Sequence, residues 1–394
     1  MSRSETLEPV GGPLWTRPMQ VLTALFLAGI AVTLYRFVMG IGAIANLNDG
    51  YAWGAWKPIS VIVFTSMASG GYATALLLYV FNRRKYAAVS RTAILTSALG
   101  YTTGVIVLGI DIGRPWNFWR IVNPGWWNFH SVLLEVAVCI STYIIFLWLE
   151  MAHPLLEGAG QSGQWSFREL ARRLTPALDS AYPFIVAMAI VLPTMHQSSL
   201  GSLFLLAGVR VHPFWQTPLV PLLFLFSCYV MGYAFVVLTS LLSSLAWRRP
   251  LEMEALTSLS RVMSSIVAAF VLVRLGDLAW RGQLTRLSVD GWSLLFYAEL
   301  LLLAVPAVLS FGLDRHASPQ KLFLLAASTL LGGSLYRLDT SLVAFMPGAQ
   351  WRYFPSVLEM LVTIGFAALA VMGYIAIVKR FPILPGVRHA GAHA

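Results

Sequence analysis

Long apolar runs separated by short polar clusters dominate the chain. Val21–Tyr35, Ile59–Phe81 and Val357–Val378 each approach or exceed the roughly 18 residues that cross a hydrocarbon layer as a helix. The pattern predicts ten spans, at 19–42, 58–82, 93–113, 130–151, 177–197, 218–245, 257–278, 291–312, 321–343 and 355–380. The expected fold is therefore all-α, a polytopic transmembrane helical bundle. Residues 1–18 and 381–394 are left as tails around a transmembrane domain at 19–380. Met1–Pro18 mixes Glu5, Glu8, Pro9 and Pro13 and shows no basic run before a small-residue cleavage site, so no removable signal peptide is expected.

The fifth span departs from the pattern. Apolar character persists from Ala177 to Gly208, too far for one straight crossing at about 1.5 Å per residue. Pro193 and the polar run Thr194, His196, Gln197, Ser198 and Ser199 predict a break there, with a pocket near the outer face.

Composition agrees with a bilayer as solvent: of 394 residues 58% are hydrophobic and 11% charged, whereas soluble domains carry charge on about a quarter of positions. The net charge of +10 is spread through short inter-span clusters, which excludes a nucleic-acid face and marks topology instead. Seventeen of the 27 Lys and Arg fall in the tails and even-numbered loops, so both termini are expected in the cytoplasm. Ten of the 14 Trp (53, 56, 116, 119, 126, 127, 215, 280, 292 and 351) cluster on the opposite side, as an interfacial belt or a platform for a docked partner. Cys139 and Cys228 are the only cysteines, which excludes a four-thiolate iron–sulfur cluster, a CxxC zinc site and CxxCH haem attachment within the chain.

Ionisable groups in a span are costly unless paired or hydrated, so they are the candidates for chemistry. Asp111 and Arg114 stand three apart before Pro115 and can pair on one helix face. Glu135 has no basic neighbour at i±3 or i±4, and at depth it suits a proton carrier. Tyr101 lies ten residues inward of Asp111 and can extend a proton path. His196, at the expected break, can donate to a quinone oxygen and exchange its proton. His130 near the outer surface completes the set. Together with His196 it offers bis-His haem ligation, but both are expected near one surface and no second pair of histidines lies within the spans.

Four stretches resemble the NrfD/PsrC-like membrane family, and within it the HybB-type hydrogenase subunits. They are NDGYAWGAW at 48–56, DIGRPW at 111–116, NFHSVLLE at 128–135 and LPTMHQSSLG at 192–201. HPFWQ at 212–216, LVAF at 342–345 and YFP at 353–355 extend the likeness from about 19 to 385. The resemblance implies two packed four-helix bundles plus extra helices. It implies a subunit often called a cytochrome b that nonetheless holds no haem and no iron–sulfur cluster, and that uses a quinone, expected to be menaquinone. The partners it implies are a NiFe hydrogenase large subunit, a small iron–sulfur subunit and a ferredoxin-like carrier, all periplasmic. Asp111, Arg114, His130 and His196 are then expected in the quinone pocket, and Tyr101 and Glu135 in proton transfer. Two rival readings are a quinol-oxidising subunit of a molybdopterin, polysulfide or nitrite reductase, and a secondary transporter.

Overall fold

The computed structural model describes residues 7–51, 53–160, 165–310, 313 and 317–386. Each of the ten predicted spans corresponds to a helical element: α1 Arg17–Met39, α2 Pro58–Val80, α3 Ala87–Asp111, α4 Val132–Gly160, α5 Trp165–Ala207, α6 Val220–Trp247, α7 Met253–Trp280, α8 Gly291–Leu309, α9 Pro319–Leu338 and α10 Val357–Arg380. Among the described residues nine of these are long and apolar enough to cross a membrane, α9 being the exception. The chain is thus a multi-pass integral membrane protein.

Two closed rings of packing organise the helices. In the first, α2 packs on α3, α3 on α4, α4 on α5, and α5 returns to α2. The second closes the same way through α6, α7, α8 and α9. The outlying pair α1 and α10 packs together, with α10 resting on α3. Small residues permit that pairing, since a Cβ on Gly29 would meet Gly365 Cα at 3.1 Å and the Leu361 carbonyl oxygen at 3.2 Å. Outside the bundle, β1 (Leu7–Glu8) pairs antiparallel with β2 (Leu384–Pro385). Arg249 donates to the carbonyls of Pro9 and Pro385, so the two tails meet at one end of the molecule.

The expected break at Pro193 is not there. The α5 helix runs unbroken for 43 residues through Pro176, Pro183 and Pro193, about 64 Å at 1.5 Å per residue. Its excess length is accommodated by extension beyond the apolar zone: the first turns carry exposed Arg172 and Arg173, both bonded to Glu169. A proline removes only one helical bond, and α5 is packed against α2, α4 and α6, which hold it in place through that loss.

Irregular backbone occurs in α2 instead. It opens with a π-helical segment, Pro58–Phe64, turns at Ala68 and Ser69, and closes with a second π segment, Leu76–Val80. Side chains on neighbouring helices satisfy part of the backbone it exposes. Ser69 donates to the carbonyls of Ser66 and Cys228, Ser66 to Ile62, and the Gly71 amide donates to Ser97 Oγ at 2.7 Å. Glycine is required where α2 crosses α6, because a Cβ on Gly232 would meet the Gly70 nitrogen at 2.8 Å.

Six of the ten tryptophans expected on the outer side stand at the two extremes of burial. Trp56 and Trp215 are fully buried and close the ends of the bundles, whereas Trp116, Trp119, Trp126 and Trp280 are exposed. Replacing Gly29 by Leu should push α1 off α10 and lower stability by about 1–3 kcal/mol. Thermal unfolding in detergent would show it. Gly109→Leu, where an added Cβ meets nothing within 4 Å, should leave the midpoint unchanged.

Candidate functional site

At the outer end of α3, Asp111 is buried and its ion-pair partner is Lys57, with Nζ to Oδ2 at 2.7 Å. The expected Asp111–Arg114 pair does not form. Helix α3 ends at Asp111 and the chain turns extended at Ile112, which removes the helical i, i+3 geometry and leaves Arg114 exposed. Arg36 takes the position beside the helix end, donating to the Ile112 carbonyl at 2.6 Å. Next to it, Glu359 accepts from the Asn46 amide at 2.8 Å and from Tyr353, whose hydroxyl also accepts from the Ala55 amide. Burial, and then the Glu359 carboxylate, push the Tyr353 phenol above its ordinary range. Lys57, adjacent to Trp56, was overlooked in the sequence because it reads as a loop cation.

Deeper in the first bundle lies a polar chamber. Tyr101 is fully buried and its hydroxyl accepts from Gln197 Nε2 at 3.1 Å, while the same amide reaches Thr65 at 3.2 Å. The ring of His196 lies edge-on to Tyr101 at 5.9 Å, and Tyr143 meets Tyr101 at 4.7 Å. His196 is fully buried, and neither ring nitrogen has a hydrogen-bond partner. It was expected near the outer surface. Because α5 continues to Ala207, His196 sits about 16 Å of helix from that end.

The other expected residues lie further out. Glu135 is in the first turn of α4, exposed rather than desolvated, since the helix begins only at Val132. It accepts from Ser199 Oγ at 2.7 Å, and Ser199 is one turn from His196 on α5. His130 is exposed before α4 starts. The structure therefore brings Tyr101, His196 and, through Ser199, Glu135 into one line. Asp111 stays in its own cluster, and Arg114 and His130 remain on outer loops.

Glu135, Cys139, Tyr143 and Glu150 fall on one face of α4 by helical spacing. Glu150 is 2% exposed and its Oε1 lacks a partner, and beyond it His153 meets Asp179 at 2.8 Å. The i, i+4, i+8, i+15 spacing could have revealed Glu150. The second bundle holds its own buried pair, Arg274 and Glu299 at 3.0 Å, with Trp215 donating to Glu299 at 2.9 Å. An apolar crevice of about 460 Å³ opens among α2, α3, α6 and α10, flanked by Gly100 and Tyr374, and the six expected site residues do not line it.

Residues 43–339 match the family described as "Polysulphide reductase, NrfD". The chain belongs to the NrfD family. It is 37% identical over 385 residues, covering 97% of this chain and 96% of the relative, to the "Probable Ni/Fe-hydrogenase 2 b-type cytochrome subunit" of Escherichia coli. It is 24% identical over 371 residues, 88% of this chain and 86% of the relative, to "Menaquinone reductase, integral membrane subunit" of Nitratidesulfovibrio vulgaris. A third NrfD-family relative, "Protein NrfD" of E. coli, is 24% identical over 296 residues, 71% of this chain and 91% of the relative.

The first of these names corrects one expectation. Scarcity of paired intramembrane histidines and the family resemblance suggested a chain without haem, yet the relative at 37% identity is named a b-type cytochrome subunit, which denotes haem. In this NrfD chain, His196 has the chemistry of an axial ligand, being a buried imidazole with both nitrogens unpartnered. Haem supplies one-electron chemistry where it is bound. Among the described residues no group of three or more His, Cys, Asp or Glu is placed to hold a metal ion.

Lys57→Met should leave the Asp111 carboxylate buried without its cation and cost about 2 kcal/mol. The double variant with Asp111→Asn should recover most of that loss, as read from unfolding midpoints of the purified protein.

Proposed function

We propose that this chain is the quinone-reacting membrane subunit of a NiFe hydrogenase complex, passing electrons from an iron–sulfur partner on the outer side to menaquinone. The reading rests on the relative at 37% identity named as a hydrogenase 2 subunit, and on the relative named as a menaquinone reductase subunit. One observation carries the chemistry: the succession of polar side chains Glu135, Ser199, His196, Tyr101 and Tyr143, with Glu150 beyond it, through the first bundle. Such a line gives a proton successive sites less than a helical turn or two apart, where hydrocarbon alone offers none.

In this proposal both termini are cytoplasmic in an inner membrane, following the bias of Lys and Arg. Arg114 and His130, exposed at the outer ends of α3 and α4, meet the quinone carbonyls together with Asp111. His196 links that site to Tyr101 and Glu135, which transfer protons. The exposed aromatics Trp116, Phe118, Trp119 and Trp126 on the loop between α3 and α4 suit a docked subunit, because aromatic side chains bury large areas at interfaces. Arg120 sits over the Trp126 ring at 4.5 Å and would fix that surface.

A second reading keeps the quinone chemistry and changes the partner to another reductase, as the relatives named menaquinone reductase subunit and NrfD suggest. Co-purification distinguishes the two. Glu135→Gln and His196→Ala should each slow hydrogen-dependent quinone reduction by roughly 100-fold while dye-linked hydrogenase activity is retained. Unchanged quinone reduction in both variants would remove the proton-path assignment.

A further inference from the structure

The apolar crevice of about 460 Å³ among α2, α3, α6 and α10 shares no residue with the chamber around Tyr101 or the cluster around Asp111. It lies in the half of the molecule where the tails meet. Its walls run from Phe235 to Trp247 on α6 and from Ala367 to Ile375 on α10, and both helices end beside the strap. At 1.5 Å per residue the α6 wall is about 18 Å long, a little over half of a hydrocarbon layer roughly 30 Å thick. The crevice therefore has the depth of one leaflet. Leu242 and Val371, one on each of these walls, are 48% and 47% exposed, so it opens sideways to the bilayer.

Hydrocarbon is what the lining accepts. Phe64, Met67, Leu99 and Phe235 form much of it, and the deeper hydroxyls are already engaged, since Thr96, Thr103 and Thr239 each donate to carbonyls of their own helix. A quinone carbonyl there finds no free donor, whereas an alkyl chain gains contacts that a void would forfeit. The mouth is different. Ser243 and Tyr374 bond at 2.8 Å, and the Tyr374 ring stacks on Trp247 at 6.2 Å, the kind of aromatic placement found at headgroup level. Cations follow at once, Arg248 after Trp247 and Lys379 and Arg380 one turn beyond Ile375. Lys379 donates to the Pro13 carbonyl, Arg91 pairs with Glu157, and Arg249 holds Glu8, Pro9 and Pro385. Arg248 and Arg380 are exposed, and among the described residues neither makes a hydrogen bond or ion pair. Arg248 is also held at φ 52°, the left-handed cap conformation that usually belongs to glycine.

We propose that the crevice is a binding site for an anionic phospholipid, with one acyl chain between α6 and α10 and the phosphate at the level of Arg248 and Arg380. The site stands apart from the quinone chemistry and does not depend on it. Apolar contact alone selects no particular lipid, because the surrounding bilayer offers the same hydrocarbon. Selection comes from the two arginines, each of which favours an anionic over a zwitterionic headgroup by about fivefold near the surface. The chain in turn joins α10, which packs on α1 and α3, to α6 of the second ring.

The test uses the full chain purified in mild detergent, with bound lipid read by native mass spectrometry, and phosphatidylglycerol or phosphatidylcholine titrated back after delipidation. The wild type should retain a phospholipid through purification and prefer phosphatidylglycerol by roughly tenfold or more. Arg248→Gly, which suits the left-handed cap, combined with Arg380→Gln should bring that preference within about twofold. Ala370→Trp, which sets a ring inside the crevice, should abolish retention of either lipid. A readout without substitution covers the case in which that variant fails to fold: phosphatidylglycerol with a photoreactive acyl chain should label Leu242 or Val371 more heavily than Leu301, an exposed residue of α8. A wild type without the preference, an arginine variant that keeps it, a folded Ala370→Trp that still retains lipid, or labelling no heavier than at Leu301 would each overturn the proposal. Recovery of menaquinone in place of phospholipid would overturn it too.

Discussion

A guanidinium shut away from water must find acceptors in protein or destabilise whatever encloses it. Arg337 finds them on two helices of different origin, the π-helical opening of α2 and the start of α6, and so ties the two four-helix rings together at their shared seam. The π segment matters here because a wider turn presents the Ile62 carbonyl sideways, where it accepts from both Ser66 and Arg337. Close approach of α2 to α6 at Gly70 and Gly232 brings the partners within reach. Without that contact the irregular backbone of α2 would be an unsatisfied defect in a low-dielectric interior.

The chamber around Tyr101 depends on the same seam. Thr65 and Ser66 come from α2, Tyr101 from α3, Tyr143 from α4, and His196 and Gln197 from α5, so all four helices of the first ring contribute. Its side chains hold one another through neutral contacts. The cluster around Asp111 is built on the opposite plan: charged groups of both signs, Lys57, Arg36 and Glu359, meet around a buried carboxylate at the ends of helices. One region is suited to moving charge and the other to holding it.

Much of this was legible in the sequence. Apolar periodicity located all ten helices, because in a bilayer the backbone has few alternatives to a helix. Two ring-like bundles followed from family likeness rather than from periodicity. The misread features share one cause, which is that local sequence rules assume solvent at the ends of elements. Pro193 looked like a break, yet α5 continues through it within the packed bundle. Asp111 and Arg114 looked like a helical pair, yet the helix ends at Asp111, three residues short of Arg114. Glu135 looked buried because its helix was expected to start sooner. Contacts between distant segments, such as Lys57 with Asp111 or Arg337 with Ile62, leave no mark at short spacing, so Asp111 was recognised as a candidate without its partner.

The small strap formed by Leu7–Glu8 and Leu384–Pro385 has a bearing on how the molecule is made. Its first half lies before α1 in the chain and its second half after α10. Until Leu384 and Pro385 have been made, the leading strand lacks its partner and Arg249 lacks one of the two carbonyls it finally holds. The strap can therefore close only after all ten helices between its halves have been made, and it then fastens the segment before α1 to the segment after α10.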